Sequence, residues 1–121
     1  MATPSDGDSP AFEKTTLDNG LRIVTSSMPH TRSVTACVFV GTGSRYEDAE
    51  RSGLSHVIEH LVFKGTRRRP DPRDISGGVE GVGGEINAAT EQELTAYWCK
   101  VPQQHLEESL DLLIDMLRNS L

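Results

Sequence analysis

The sequence predicts an α+β fold, an antiparallel sheet with helices packed on one of its faces. Three observations lead there. An Asn-Gly pair joins two alternating segments near the N-terminus, helical spacing of apolar residues marks three later stretches, and β-favouring runs lie between those stretches. No internal repeat interrupts this order. At 121 residues, 36% of them hydrophobic, the chain has material for one modest core and no more than one domain.

The elements follow in chain order. Residues 11–17, AFEKTTL, and 21–28, LRIVTSSM, flank Asp18-Asn19-Gly20. Asn-Gly tolerates the positive φ that a tight hairpin turn demands, so two antiparallel strands are expected. The next run, SVTACVFVG, sets Val34, Ala36, Val38 and Val40 against Thr35, Cys37 and Phe39. Both of its faces are fairly apolar, which predicts a strand central in its sheet. Cys37, like Cys99, reads as a small core residue in a strand, and two widely separated cysteines fit a reducing compartment.

A polar loop, SRYEDAERSG, leads to a helix over about Ser52–Phe63, with Ser52 as its cap. A second helix is predicted from about Arg73 to Val82, with Pro72 in its first turn and Gly77-Gly78 weakening it by about 1 kcal/mol each relative to alanine. EINAATEQELTAYWCKV then reads as two strands, or one long bent strand, with Thr95, Tyr97, Trp98 and Val101 near its end. The last helix opens at Pro102 or Gln103. Leu106, Leu110, Leu113, Ile114 and Leu117 supply its apolar spacing.

Composition and charge exclude several classes. Eighteen acidic residues against twelve basic ones leave a net charge of −6, which argues against a nucleic-acid footprint and against anionic membrane surfaces. No apolar run approaches the roughly twenty residues that span a bilayer. Residues 1–10, MATPSDGDSP, are polar and rich in Pro and Gly, without the basic start and apolar stretch of a signal peptide, and are expected to be a disordered lead-in. A cytoplasmic location is the expectation. Arg67-Arg68-Arg69 reads as a solvated loop, His30 and His105 as surface residues, and Glu80 and Glu85 as solvent-facing acids.

The chemistry concentrates in the first helix, GLSHVIEHLVFKGT. At 100° per residue, Glu59 lies about 60° to one side of His56 and His60 about 40° to the other, so the three share one arc. Leu54, Val57, Ile58, Leu61 and Val62 take the opposite arc, the one expected to be buried. Histidines at i and i+4 are about 6 Å apart along the axis, near enough for both rings to reach one ion at about 2.0–2.1 Å. Zinc suits two neutral imidazoles with a carboxylate, and a carboxylate beside the metal can act as a general base toward water. Read from the helix alone, the three residues also suit the plain solvated face of a surface helix, and both readings stand.

The flanking segments add a resemblance. His-x-x-Glu-His, together with LDNGLRIV, GTGSRYE, GGEINAAT, ELTAYWCKV and LDLLIDML in this order, resembles the pitrilysin-type family of zinc metalloendopeptidases, in the branch of bacterial processing-peptidase-like proteins. The resemblance runs through nearly the whole chain from Leu17. It implies part of the N-terminal catalytic domain of the processing-peptidase type of metallohydrolase fold over residues 11–121, one zinc ion held by His56 and His60, and Glu59 as the catalytic base. It also implies that GGEINAAT is an edge strand receiving a peptide substrate by strand addition, with Asn87 and Ala88 meeting it. Without the resemblance, the same asparagine would read as a strand residue at a bulge.

The third ligand of that family is a glutamate later in the chain than Leu121, and its working unit is larger, so partners are expected among the remaining domains of a longer chain or a homologous subunit. The expectation is therefore a piece of an endopeptidase, truncated before its third ligand and inactive alone. The alternatives are a non-catalytic partner subunit and a metal-binding domain related to the same family.

Overall fold

The computed structural model describes residues 11–120, which fall into two compact units meeting in sequence between Arg32 and Ser33. The expected lead-in, residues 1–10, lies outside the described residues.

The first unit is a hairpin of β1 (Ala11–Thr16) and β2 (Arg22–Ser27), paired antiparallel from Ala11 opposite Ser27 to Thr16 opposite Arg22. Its turn uses the Asn-Gly pair as expected. Gly20 adopts φ 90°, its N–H donates to Leu17 C=O at 2.9 Å, and the Leu21 N–H donates to Asn19 Oδ1 at 3.0 Å.

The second unit runs β3 (Ser33–Val40), α1 (Leu54–Leu61), α2 (Pro72–Glu80), β4 (Glu85–Thr90), β5 (Thr95–Pro102) and α3 (Leu106–Asn119). Short 3-10 turns at Ser44–Tyr46 and Gln103–His105 precede α1 and α3. Its sheet has the order β3-β5-β4 and is antiparallel throughout. The run from Glu85 to Val101 is thus two strands, not one bent strand. β5 is central and β3 pairs on one side only in this sheet, contrary to the expectation for β3. Apolarity on both faces of a strand reports what packs against its faces and is a poor guide to how many neighbours its edges have.

Alternation places the core. Thr95, Tyr97, Cys99 and Val101 of β5 turn to one face, beside Val34, Ala36, Val38, Ile86 and Ala88 of the flanking strands. Onto that face pack Ile75 and Val79 of α2, Leu112, Leu113 and Met116 of α3, and Val62 just after α1. Burying such a side chain stabilises by roughly 1.5–3 kcal/mol, so this cluster holds the layers together. The opposite face, with Thr35, Cys37 and Phe39, is exposed. Cys99 is therefore a core residue as expected, whereas Cys37 is not, and both thiols are free. Burial pushes the Cys99 thiol up, and partial desolvation by its neighbours does the same at the solvent-facing Cys37.

The helices differ in detail from expectation. Asp71 caps α2, accepting from the Arg73 N–H while Asp74 answers from within the first turn, and Pro72 takes the first position. Gly78 has a reason: a Cβ there would sit 2.8 Å from Leu112 Cδ1, so α2 and α3 pack closely at that point. On α3 the buried side is Ser109, Leu112, Leu113 and Met116, while Leu110 and Ile114 are exposed. The helix is apolar over a wide arc, and spacing alone leaves its rotation open. The arginine loop is no free solvated segment either. Arg68 pairs with Asp111 at 3.0 Å, and Arg69 reaches the buried Asp115 at 2.6 Å. His30, Glu80 and Glu85 are exposed, and His105 is half-buried, 3.5 Å from Glu108. No helix among the described residues is long and apolar enough to cross a membrane.

Candidate metal centre

The helix that carries the two histidines is only eight residues long and starts without a side-chain cap of its own. Gly53, at φ 83°, takes the N-cap position that Ser52 was expected to fill. The orphan amides of the first turn are instead met from outside the helix: the Glu47 carboxylate accepts from the Gly53 and Ser55 N–H groups, each at 2.7 Å. These bonds, the Ser55 amide foremost, hold the Glu47 carboxyl below the usual carboxylate range.

One turn apart on this helix, His56 and His60 bring their Nε2 atoms to 2.9 Å, with ring centroids 4.6 Å apart and planes at 45°. Together with a Glu59 carboxylate oxygen, the candidate ligand atoms all lie within 4.8 Å of one another. Zinc bound by both imidazoles at about 2.0–2.1 Å would set the two nitrogens roughly 3.3 Å apart in a tetrahedral site. The observed separation is a little shorter, a difference that small side-chain rotations supply, and neutral imidazoles with a carboxylate are a donor set that suits zinc. The residues present fit that ion.

Glu59 is where the helix departs from the expected arrangement. Its residue is 9% exposed, so the carboxylate is turned inward; of the apolar arc Val62 is buried, while Leu54, Val57, Ile58 and Leu61 are 44–52% exposed. The inward position is tolerable because the Thr90 hydroxyl of β4 donates to Glu59 Oε2. Tyr97 feels the same carboxylate: its phenol is pushed up by burial first and by the Glu59 charge second.

The edge of the sheet runs into this cluster. Beyond β4 the Glu91 N–H donates to Leu94 C=O at 2.8 Å, closing the turn to β5. Alternation along an antiparallel ladder then assigns the bonds to β5 to Glu85, Asn87 and Ala89. Ile86, Ala88 and Thr90 turn their N–H and C=O groups to the outer edge. The Ala88 N–H is met there by Asn87 Oδ1 at 2.8 Å. Ala88 thus offers main chain at the edge, Asn87 offers its side chain, and the edge ends at Thr90 on Glu59. Beside it lies a cleft of about 590 Å³ lined by Ser44, Glu47, Ser52, Gly53, His56, Glu59, Ala89, Thr90 and Glu91.

The structure therefore brings His56, Glu59 and His60 together and sets Asn87 and Ala88 on the strand that leads to them. Sequence reasoning missed Thr90, Tyr97 and Glu47. Thr90 and Tyr97 are 31 and 38 positions from Glu59 and carry no local signal. Glu47 had one weak sign, a carboxylate a few residues ahead of a helix that begins with glycine.

Comparison with known proteins shows the family. The sequence model of the insulinase family, peptidase family M16, matches residues 22–121. Over 109 residues the chain is 43% identical to a Bacillus subtilis (strain 168) protein named as an uncharacterized zinc protease, covering 90% of this chain and 26% of that one. A Streptomyces coelicolor protein of the same description is 45% identical over 108 residues, covering 89% and 23%. The probable beta subunit of the mitochondrial-processing peptidase of Arabidopsis thaliana is 41% identical over 111 residues, covering 92% and 21%. The chain spans about a quarter of the length of these curated relatives.

Proposed function

The chain belongs to the insulinase family, peptidase family M16, and from that premise we propose that it forms part of the catalytic domain of a zinc-dependent metalloendopeptidase, with His56 and His60 as zinc ligands and Glu59 as the base. The observation that carries the reading is the convergence of the two Nε2 atoms, 2.9 Å apart, beside a carboxylate that the fold holds in place. Zinc bound there supplies Lewis acidity toward water and toward the scissile carbonyl.

The chain's own residues do the rest. Thr90 occupies Oε2 of Glu59, which leaves the other oxygen to take a proton from the attacking water and to hand it to the departing amine. The outer edge of β4 receives the peptide by strand addition, Ala88 through its main chain and Asn87 through a side chain that must turn off the Ala88 N–H to admit it. That edge ends at Glu59, so a strand laid along it carries a peptide bond to the proton acceptor. A third ligand comes from outside these residues, because His56, Glu59 and His60 are the only group of metal-ligating side chains that can share one ion among the described residues. Residues 11–121 are in this reading part of an N-terminal catalytic domain that works with further domains or a homologous subunit. A cytoplasmic, reducing setting belongs to the same proposal, supported by the two free cysteines.

The test is Glu59→Gln in the full-length protein, with peptide cleavage and zinc content measured together. Turnover should fall by about 10²–10⁴-fold while zinc stays bound. Cleavage at the wild-type rate would refute the base assignment, and a preparation that binds no zinc even before substitution would refute the metal centre.

A further inference from the structure

Glu47 reaches across the polar loop to the metal-binding helix, and nothing in the motif His-x-x-Glu-His calls for it. The helix offers a reason. Two turns are too short to be stable by propensity, since nucleation is costly and isolated helices of this length scarcely form in water. Its first residue follows a left-handed glycine with no capping side chain, and His56 lies in that first turn, one residue after Ser55. If the turn frays, His56 leaves His60 and the two nitrogens no longer converge.

The carboxylate that ends the fraying is itself anchored to the sheet. The Ser44 and Arg45 N–H groups donate to Glu91 C=O and Gln92 C=O at 3.2 and 2.8 Å, in the turn between β4 and β5. Gly43 lies so close to that turn that a Cβ would sit 2.3 Å from Glu91 O and 2.6 Å from Gln92 O. The segment from Gly43 to Glu47 is thus clamped to the end of the edge strand, and Glu47 passes that position to Gly53 and Ser55.

On the reading of His56 and His60 as ligands, we infer that Glu47 is a positioning residue of the metal centre, which fixes the first turn of α1 so that His56 meets its ion in register with the β4 edge. It does not touch the ion. Together with the bond from Thr90 to Glu59, it ties the helix to the end of β4 at two points, one for the ligand and one for the base.

The experiment measures zinc affinity of the full-length protein by competition with a chromophoric chelator, zinc being the only probe, with amide hydrogen exchange run alongside. Glu47→Ala should weaken zinc binding by about tenfold or more, in the range found for groups that orient ligands. Glu47→Gln should weaken it by less, because one amide oxygen still accepts one N–H. Glu50→Gln, which removes a charge from an exposed position of the same loop, should stay within about twofold of wild type, separating capping from general charge. In Glu47→Ala, exchange protection should fall at Gly53–Val57 and persist at Leu112–Met116. Wild-type affinity in Glu47→Ala, or equal loss of protection in both helices, overturns the inference. Wild-type protein that binds no zinc overturns instead the ligand reading on which it rests.

Discussion

Asp115 is the residue whose loss should cost the fold most for its size. Its side chain is 1% exposed on α3 and accepts three bonds: from Thr66 Oγ1 at 2.7 Å, Arg69 Nη1 at 2.6 Å and Asn119 Nδ2 at 3.0 Å. The Thr66 hydroxyl is fully buried and itself accepts from the Arg69 N–H at 3.0 Å, so the loop between α1 and α2 is folded around this carboxylate. Bonds to a charged group are worth about 1.5–3 kcal/mol each, and breaking a buried pair by removing one partner costs roughly 3–5 kcal/mol. Asp115→Asn keeps the shape and one acceptor oxygen but aims an amide N–H at donors, for a loss of about 2 kcal/mol. Trp98 is the single tryptophan of the chain and sits in β5, so its fluorescence reports urea unfolding. At a slope of about 2 kcal/mol per molar, the midpoint should fall by roughly 1 M. The pH dependence carries a sign. The Thr66 hydroxyl above all, then Asn119 and Arg69, holds the Asp115 carboxyl below its usual value against the opposing effect of burial. A depressed carboxyl adds stability that is present above its unfolded pKa of about 3.9 and lost as pH falls through the folded value. The gap between wild type and Asp115→Asn should therefore be widest near neutrality and close in acid below that value. A midpoint that does not move, or a gap that stays constant from neutral pH into acid, would refute the assignment of the loop's stability to this carboxylate.

Three further substitutions test the packing. Thr90→Val removes the donor from a nearly buried carboxylate and should cost about 1–3 kcal/mol by the same unfolding assay, and in a double-mutant cycle with Glu59→Gln the two losses should fail to add by more than about 0.5 kcal/mol. The two helical glycines of α2 should part company. A Cβ at Gly77 meets nothing within 4 Å, so Gly77→Ala should stabilise by about 0.5–1 kcal/mol, whereas Gly78→Ala meets Leu112 Cδ1 at 2.8 Å and should forfeit most or all of that gain. Equal effects at the two positions would show that α2 does not pack on α3 as described.

What could be read in advance divides by distance along the chain. The first hairpin was legible because Asn19-Gly20 answers a local demand for positive φ, and α2 was legible because Pro72 opens it. Among the described residues β3 pairs with β5 alone, because neighbours in a sheet are decided by strands elsewhere in sequence. The same cause misplaced Cys37 and rotated α3. Arg68 and Arg69 looked solvated because their acids, Asp111 and Asp115, lie more than forty residues away.

The helix of His56 and His60 shows the limit most sharply. Periodicity set an apolar arc apart from one holding His56, Glu59 and His60, yet each arc sends a residue inward, Val62 from one and Glu59 from the other. An amphipathic pattern states that two environments exist; it does not say which is supplied by residues at hand. Glu59 turns inward because Thr90, far off in sequence, offers a donor that makes a buried carboxylate tolerable. A two-turn helix cannot hold the three side chains of the proposed site by its own propensity, so the precision of the cluster must come from non-local contacts such as Glu47 and Thr90. The proposed chemistry is therefore written in five adjacent residues. Its accuracy is written in a loop and a strand edge that no local motif contains.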